Sequence, residues 1–330
     1  MTWLTWRQLR FPLVSVYAAL AVVTALLAGT RLVGGGDPGD GEFWYSAGLF
    51  AVNGLPVLLG VFWGVPMITR ELEAGTHNLV WNQSVTRTRW LAVKLGIGVP
   101  AAALTAGLLS LVVTWWADPI DTSPVPERVR NFGRLMTPVV FAARGIAPVG
   151  YAAFAFVLGI AVAILLRRTV TAMAVTLVVY VAVQLAVPLA VRPHVLPPVG
   201  DTVAITAANI AGIQAEEGSG GDVPEALTVR GPAGAWVLTN ETVDANGAVV
   251  RPLPAVVGGC LPPPVENAHD VDLAQIRACF ARLSDHGYRQ HLTYQPASRF
   301  WPLQWVELAL FGVLSALVTW FCFVRLRRLS

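Results

Sequence analysis

AGLFAVNGLPVLLGVFWGVPMIT, residues 47–69, carries no charge, and RELEAGTHNLVWNQSVTRTRWLAVK, residues 70–94, follows it with six charged side chains. From Leu95 to Trp116 the chain is uncharged again. An apolar run of about 20 residues is long enough to cross a ~30 Å hydrocarbon core as a helix. Residues 70–94 therefore read as a short polar loop joining two membrane spans.

Four further windows of this kind lie outward from the loop, at Phe11 to Thr30, Gly145 to Leu166, Thr169 to Val191 and Pro302 to Val324. A 330-residue chain that is 55% hydrophobic and 13% charged is too apolar for a soluble protein of this length. Helices are expected rather than barrel strands, because the runs are long, lack alternation and must satisfy their backbone groups internally. The first run follows Arg7 and Arg10, yet it exceeds a secretory signal core and precedes five more spans, so it reads as a retained helix.

Arginine placement orients the bundle. With the N-terminus cytosolic, the cytosolic segments collect Arg7, Arg10, Arg70, Arg87, Arg89, Lys94, Arg167, Arg168, Arg325, Arg327 and Arg328 against only Glu71 and Glu73. That is the asymmetry of the positive-inside rule. The expected fold is an all-α polytopic membrane protein with six transmembrane helices, both termini cytosolic, and a small mixed α/β external domain between helices five and six. Residues 1–191 form the membrane domain, with spans one to five and the cytosolic loop 70–94. Residues 192–300 form the external domain, and 301–330 the sixth span with its basic tail. Trp44, Tyr45, Trp115, Trp116, Trp301 and Trp305 at outer ends, and Trp81, Trp90, Trp320 and Phe321 at inner ends, read as interfacial anchors.

Local patterns fill in this frame. Trp3, Leu4, Trp6, Leu9 and Phe11, interrupted by Arg7 and Arg10, suit a helix lying in the inner interface. LMTPVVFAA, residues 135–143, suits a re-entrant or interfacial helix, after which Arg144 either snorkels to headgroups or lines the mouth of a cavity. In the external portion, AWVLTNETVDANGAVV, residues 235–250, predicts two strands joined by a type I′ turn at Asn246-Gly247. Leu273, Ile276, Phe280 and Leu283 recur at helical spacing, with Asp270 or Asp272 to start the helix and Gly287 to end it. Cys260 and Cys279 both fall on the oxidising side and predict a disulfide, the alternative being two thiols; Cys322 lies in span six as a small packing residue.

Chemistry is mostly excluded. No GxxxxGK[ST] loop, HExxH pair or GxSxG elbow is present, and His77, His194, His269, His286 and His291 have no metal-site spacing. Neither a catalytic residue, a cofactor nor a metal is expected in this chain. Glu307 is the only acid in the six windows and reads as interfacial, which disfavours an ion-coupled carrier. Span two, with Asn53, Gly54, Pro56, Gly60, Gly64 and Pro66, reads as kinked and closely packable through a GxxxG pair.

The loop itself has internal punctuation. Arg70-Glu71-Leu72-Glu73 continues span two, Gly75 breaks it, and Thr76 can cap a very short helix through Trp81 before Ser84 or Thr86 starts span three. Leu79, Val80 and Trp81 form the apolar side of that stub. Such an element fits a partner's groove; the plain alternative is a charged turn that stops membrane insertion.

RELEAGT followed by NLVWNQSVTRTRWLAVKLG resembles the cytosolic segment of type-2 ATP-binding cassette (ABC) transporter permeases. The resemblance extends to the interfacial N-terminal helix, the six spans and the inside termini. The external portion ending in YQPASRFWPLQWVE, residues 294–307, resembles a subgroup with a large external domain from high-G+C bacteria. The resemblance implies the permease subunit of an ATP-driven exporter in a bacterial cytoplasmic membrane, with ATP and Mg bound by a separate ABC ATP-binding subunit. It implies that Arg70, Glu71, Glu73, Gly75, Thr76, His77, Asn78, Leu79, Val80, Trp81 and Arg87 dock that subunit. Two permeases would pair as a homodimer or heterodimer among membrane lipid, with no nucleic acid involved. A different class of function, a membrane-anchored sensor or assembly factor with an external ligand-binding domain, predicts little dependence on an ATPase.

Overall fold

A computed structural model describes residues 14, 16–18, 20–29, 38–75, 86–121, 135–214, 224–257, 259–260 and 273–328. Two compact units divide the chain, Met1–Arg192 with Arg299–Ser330, and Pro193–Ser298. The first unit is helical. Its elements are α1 (Val16–Gly29), α2 (Pro38–Leu59), a π-helical turn (Gly60–Gly64), α3 (Val65–Glu73), α4 (Arg87–Asp121), α5 (Pro138–Ala143), α6 (Ala147–Leu166), α7 (Thr169–Ala186) and a second π-helical turn (Val187–Val191). α8 (Arg192–Val195) continues α7.

Among the described residues, five helices are long and apolar enough to cross a membrane: Phe43–Glu73, Arg87–Asp118, Ala147–Leu166, Thr169–Val195 and Ala297–Arg327. They coincide with the second to sixth expected spans. α1 is a shorter apolar helix within the expected first span, whose remaining residues, like the N-terminal interfacial helix, lie outside the described residues.

α6 is the axis of the bundle. Within its most hydropathic window 78% of the residues are buried, against 17% for Thr169–Val195. Its small residues explain this. A Cβ placed on Gly159 would lie 2.4 Å from the Gly60 carbonyl oxygen, and one on Gly60 would lie 2.5 Å from that of Ala155. Side-chain-free surfaces on both helices bring backbone against backbone, as the GxxxG reading of span two anticipated. The π-helical turn sits between two prolines, Pro56 and Pro66; Pro66 has no amide for the carbonyl four residues back, and the wider turn accommodates that loss. α6 stops at Arg167, which adopts a left-handed conformation with φ 56°, and Arg168 leads directly into α7. The connection between these spans is thus the tight hairpin expected.

Among the described residues the second unit holds five strands, β1 (Val199–Ala204), β2 (Ile210–Gln214), β3 (Ala226–Val229), β4 (Trp236–Val243) and β5 (Arg289–Gln295), and the helix α9 (Leu273–Ala281). The last helix of the chain, α10 (Phe300–Arg327), returns to the first unit. β1, β5 and β4 form an antiparallel sheet in that order, with Val199 opposite Tyr294 and Trp236 opposite Gln295; β2 and β3 form a separate pair. Gln290 and Asn240 join the two sheets: Gln290 Nε2 donates to the Leu227 carbonyl and to Asn240 Oδ1, while the Asn240 amide brackets the backbone of Val229.

One turn differs from expectation. Gly247 has φ +82° but Asn246 does not share the left-handed region, so the turn is not type I′. Instead Gly247 N donates to the Asp244 carbonyl and Asp244 N to that of Ala248, a three-residue loop closed by a glycine bulge. The Asp244 carboxylate accepts from the amides of Ala248 and Asn246, which holds its pKa below the usual aspartate range. The expected helix appears as α9, extended by a 3-10 turn at Arg282–Ser284 and followed by Gly287 at φ +83°; Asp270 and Asp272 lie outside the described residues.

Cys260 and Cys279 are joined by a disulfide, with Cα atoms 5.7 Å apart, beside the buried Phe280 and Leu283. Cys322 is buried and free. Replacing Cys260 and Cys279 together by serine is expected to destabilise this unit by about 3 kcal/mol, the loop-closure value for a bridge of this span. Thermal unfolding followed with and without reductant reads it. In the bundle, Gly159→Ala forces backbone apart and is expected to cost about 1–3 kcal/mol, visible as a lowered melting temperature of the detergent-solubilised chain.

Candidate functional site

The end of the bundle that carries the 70–94 loop is organised by two neighbouring acids. Glu71 is 8% exposed. Its carboxylate accepts from Lys94 Nζ at 2.8 Å and from Trp90 Nε1 at 2.8 Å. Trp90 and Lys94 stand four residues apart on α4, so they share one face and reach the same acid. Lys94 also donates to the Met67 carbonyl at 2.5 Å and lies 4.7 Å from the centre of the Trp90 ring. It is the only lysine in the chain.

Glu73 points elsewhere, because two residues turn a helix by about 200°. Its carboxylate accepts the Thr169 backbone N–H at 2.8 Å and the Thr169 hydroxyl at 2.9 Å. Thr169 opens α7, where the first amides have no partner within the helix, so Glu73 caps α7 from another helix. The Thr169 hydroxyl also lies 2.7 Å from Thr69 Oγ1.

The remaining expected docking residues fall as follows. Arg70 is exposed, Arg87 is half-buried in the first turn of α4, and Gly75 ends the helical run at φ +67°. Thr76, His77, Asn78, Leu79, Val80 and Trp81 lie outside the described residues. The geometry thus separates the acids from the arginine: Glu71 faces the interior, whereas Arg70 faces out.

A second charged cluster lies in the same unit. Arg192 Nε donates to Glu307 Oε1 at 2.7 Å, the Tyr151 hydroxyl donates to Glu307 Oε2, and the Arg192 guanidinium sits 4.1 Å from the centre of the Phe141 ring. Glu307 is 3% exposed. It is enclosed by the bundle, which therefore does contain buried carboxylates. Two further expectations are corrected by burial. Arg144 is 3% exposed rather than snorkelling, and Trp90 is an interior donor rather than an interfacial anchor. The spacing of Trp90 and Lys94 was a legible signal for the Glu71 cluster. The Arg192–Glu307 pair spans 115 positions and had none.

α5 and the turn after it are held by three different helices. Asn53 Nδ2 donates to the Val139 carbonyl, Ser110 Oγ to that of Gly145, and Gln304 Nε2 to that of Phe141. Gln304 Oε1 accepts the amides of Ile146 and Ala147. Gly145, at φ +78°, also leaves room for Gln304, whose Oε1 would lie 2.9 Å from a Cβ there. In the other unit, Thr202, Asp244, Arg289 and His291 line a shallow cleft of about 600 Å³. Asp244 is engaged in its turn, Arg289 donates to Ser284 Oγ, and His291 pairs with Thr202.

Glu307→Leu would leave the Arg192 cation uncompensated in the bundle, at an expected cost of about 3–5 kcal/mol. Arg192→Leu added to it is expected to recover most of the loss, because two apolar groups replace the pair. Thermal unfolding of the two single variants and the double variant measures this coupling, and additive losses would count against it.

Residues 38–192, which include the loop, both of its anchoring acids and α6, match the family model described as ABC-2 membrane transporter related. No curated protein matches the chain, and no solved structure does. Five apolar helices of spanning length indicate a multi-pass membrane protein, and the match over residues 38–192 supports a permease of the ABC-2 type.

Proposed function

We propose that this chain is the membrane-spanning subunit of an ATP-driven exporter, and that a separate ABC ATPase docks on the loop after the second span. The observation that carries this reading is the family match over residues 38–192, which takes in the loop and the helices that flank it. In this reading the loop end is cytosolic, α1 completes a set of six spans, and residues 193–298 are external. Arg70, which is exposed, Arg87, which is half-buried, and the stub Thr76, His77, Asn78, Leu79, Val80 and Trp81 form the docking surface in this reading. Gly75, at φ +67°, supplies the break that ends the helical run of α3.

The mechanism is alternating access in a bacterial cytoplasmic membrane. Two permeases, identical or paired with a relative, surround the path, and closure of two ATPase subunits on ATP displaces the stubs. The ATPase shifts the population between inward- and outward-open bundles only as far as it binds the two states differently. Hydrolysis belongs to the partner, which holds ATP and Mg.

Affinity purification of the tagged chain from its native membranes, with identification of any ABC ATPase that copurifies, tests the reading. The intact chain is expected to retain the ATPase through affinity purification. Replacing residues 76–85 with a Gly-Ser linker of equal length is expected to abolish retention, and Gly75→Pro to weaken it strongly, because proline cannot adopt φ +67°. An intact chain that retains no ATPase overturns the proposal in favour of a sensor or assembly role.

A further inference from the structure

The loop between Gly75 and Thr86 is bounded on both sides by charge rather than by apolar packing alone. On the α3 side stand Glu71 and Glu73, and on the α4 side Trp90 and Lys94. Glu71, Lys94 and Trp90 are each at least nine-tenths buried, and the bonds from Trp90 Nε1 and Lys94 Nζ to Glu71 and to the Met67 carbonyl link α4 to α3. Glu73 and Thr69, one helical turn apart on α3, both meet Thr169, the first residue of α7. Three helix ends therefore converge on one turn and a half of α3.

We propose that Glu71 and Glu73 are the positioning residues of energy coupling: Glu71 locks α3 to α4 through Lys94 and Trp90, and Glu73 locks α3 to the first turn of α7. This rests on the docking reading above and deepens it, because it reassigns the two acids from contact with the ATPase to transmission within the permease. A buried carboxylate such as Glu71, separated from its cation, loses a charge-assisted bond with no water to replace it; Glu73 is exposed, but it holds the first amide and hydroxyl of α7 by two directed bonds, and breaking them leaves that helix end uncapped. Displacing the loop therefore moves α3, α4 and the start of α7 together, because sliding any one of them alone breaks such a bond. α7 has few other constraints, since only 17% of its span window is buried.

The test uses the complex of the full chain with its ATPase in nanodiscs, followed by hydrogen–deuterium exchange with and without trapping by ATP, Mg²⁺ and vanadate. In the intact complex, trapping is expected to change exchange in the first turns of both α4 and α7. Thr169→Val removes the hydroxyl but keeps the backbone N–H, and it is expected, like Glu73→Gln, to abolish the nucleotide-dependent change at α7 while sparing that at α4. Thr169→Ser is expected to retain it. Glu71→Gln combined with Lys94→Met, which strands no charge, is expected to abolish the change at α4. A merely structural role would alter the resting exchange but not its response to the trapped nucleotide. If these variants retain the ATPase and show the intact response at both helices, the proposal fails while the docking reading stands. If the intact chain retains no ATPase, both fail.

Discussion

Backbone approaches backbone where the π-helical turn at Gly60–Gly64 meets α6, and the placement of the other spans depends on that contact. Helices in lipid gain nothing from hiding apolar surface, since lipid tails are as apolar as leucine. What holds them is close van der Waals packing, and the gap between Gly60 and Gly159 leaves no room for even a methyl group. With α6 seated there, its phenylalanines pack outward: Phe156 fills the space that Gly98 of α4 leaves, and Phe154 meets Phe311 of α10 edge-on with ring centres 5.5 Å apart. Because α3 leaves this contact directly, the close packing at Gly60 and Gly64 also decides where Glu71 and Glu73 emerge.

Charge is the second constraint, and its distribution follows from cost. A buried ion pair seldom adds net stability over an apolar replacement, but removing one partner is severe. Glu71 with Lys94 and Glu307 with Arg192 therefore act as conditions on geometry more than as sources of stability. They lie toward opposite ends of α7: Thr169, at one end, is bound by Glu73 beside the first pair, and Arg192, just beyond the other, belongs to the second. At 1.5 Å per residue the separation along the helix is roughly 35 Å, about the thickness of the hydrocarbon layer the helix has to cross.

Much of this was legible in the sequence, because apolar length, glycine spacing and helix punctuation are local signals. The ends of α6 and α7 at Arg167 and Arg168, the close packing of Gly60 and Gly64, and the Cys260–Cys279 bridge all follow from residues near one another or from simple counting. The side of the helix on which a charge falls is not local. The burial of Glu307 depends on Arg192 and Tyr151, 115 and 156 positions away, and that of Trp90 on a partner 19 residues away on another helix. Asn246-Gly247 carried the strongest short hairpin signal, yet the Asp244 carboxylate captured the Asn246 and Ala248 amides and shifted the turn by one residue. In each case a polar side chain found a partner that periodicity does not encode.

These errors share a physical origin that bears on how the bundle could move. Apolar faces can slide along one another in lipid with little change in free energy, so packing alone defines the height of a span poorly where its faces are smooth. α7 is such a span: its exposed residues include Val170, Leu177, Val178, Val181, Leu185 and Leu189. Its height is defined instead by polar bonds at its two ends, Thr169 to Glu73 and Arg192 to Glu307. A helix fixed in this way resists graded displacement and responds only when one end bond breaks, which is the behaviour a two-state switch requires. α6, in contrast, is held along most of its length by backbone contact and small residues, so it is the element against which such a step would be measured.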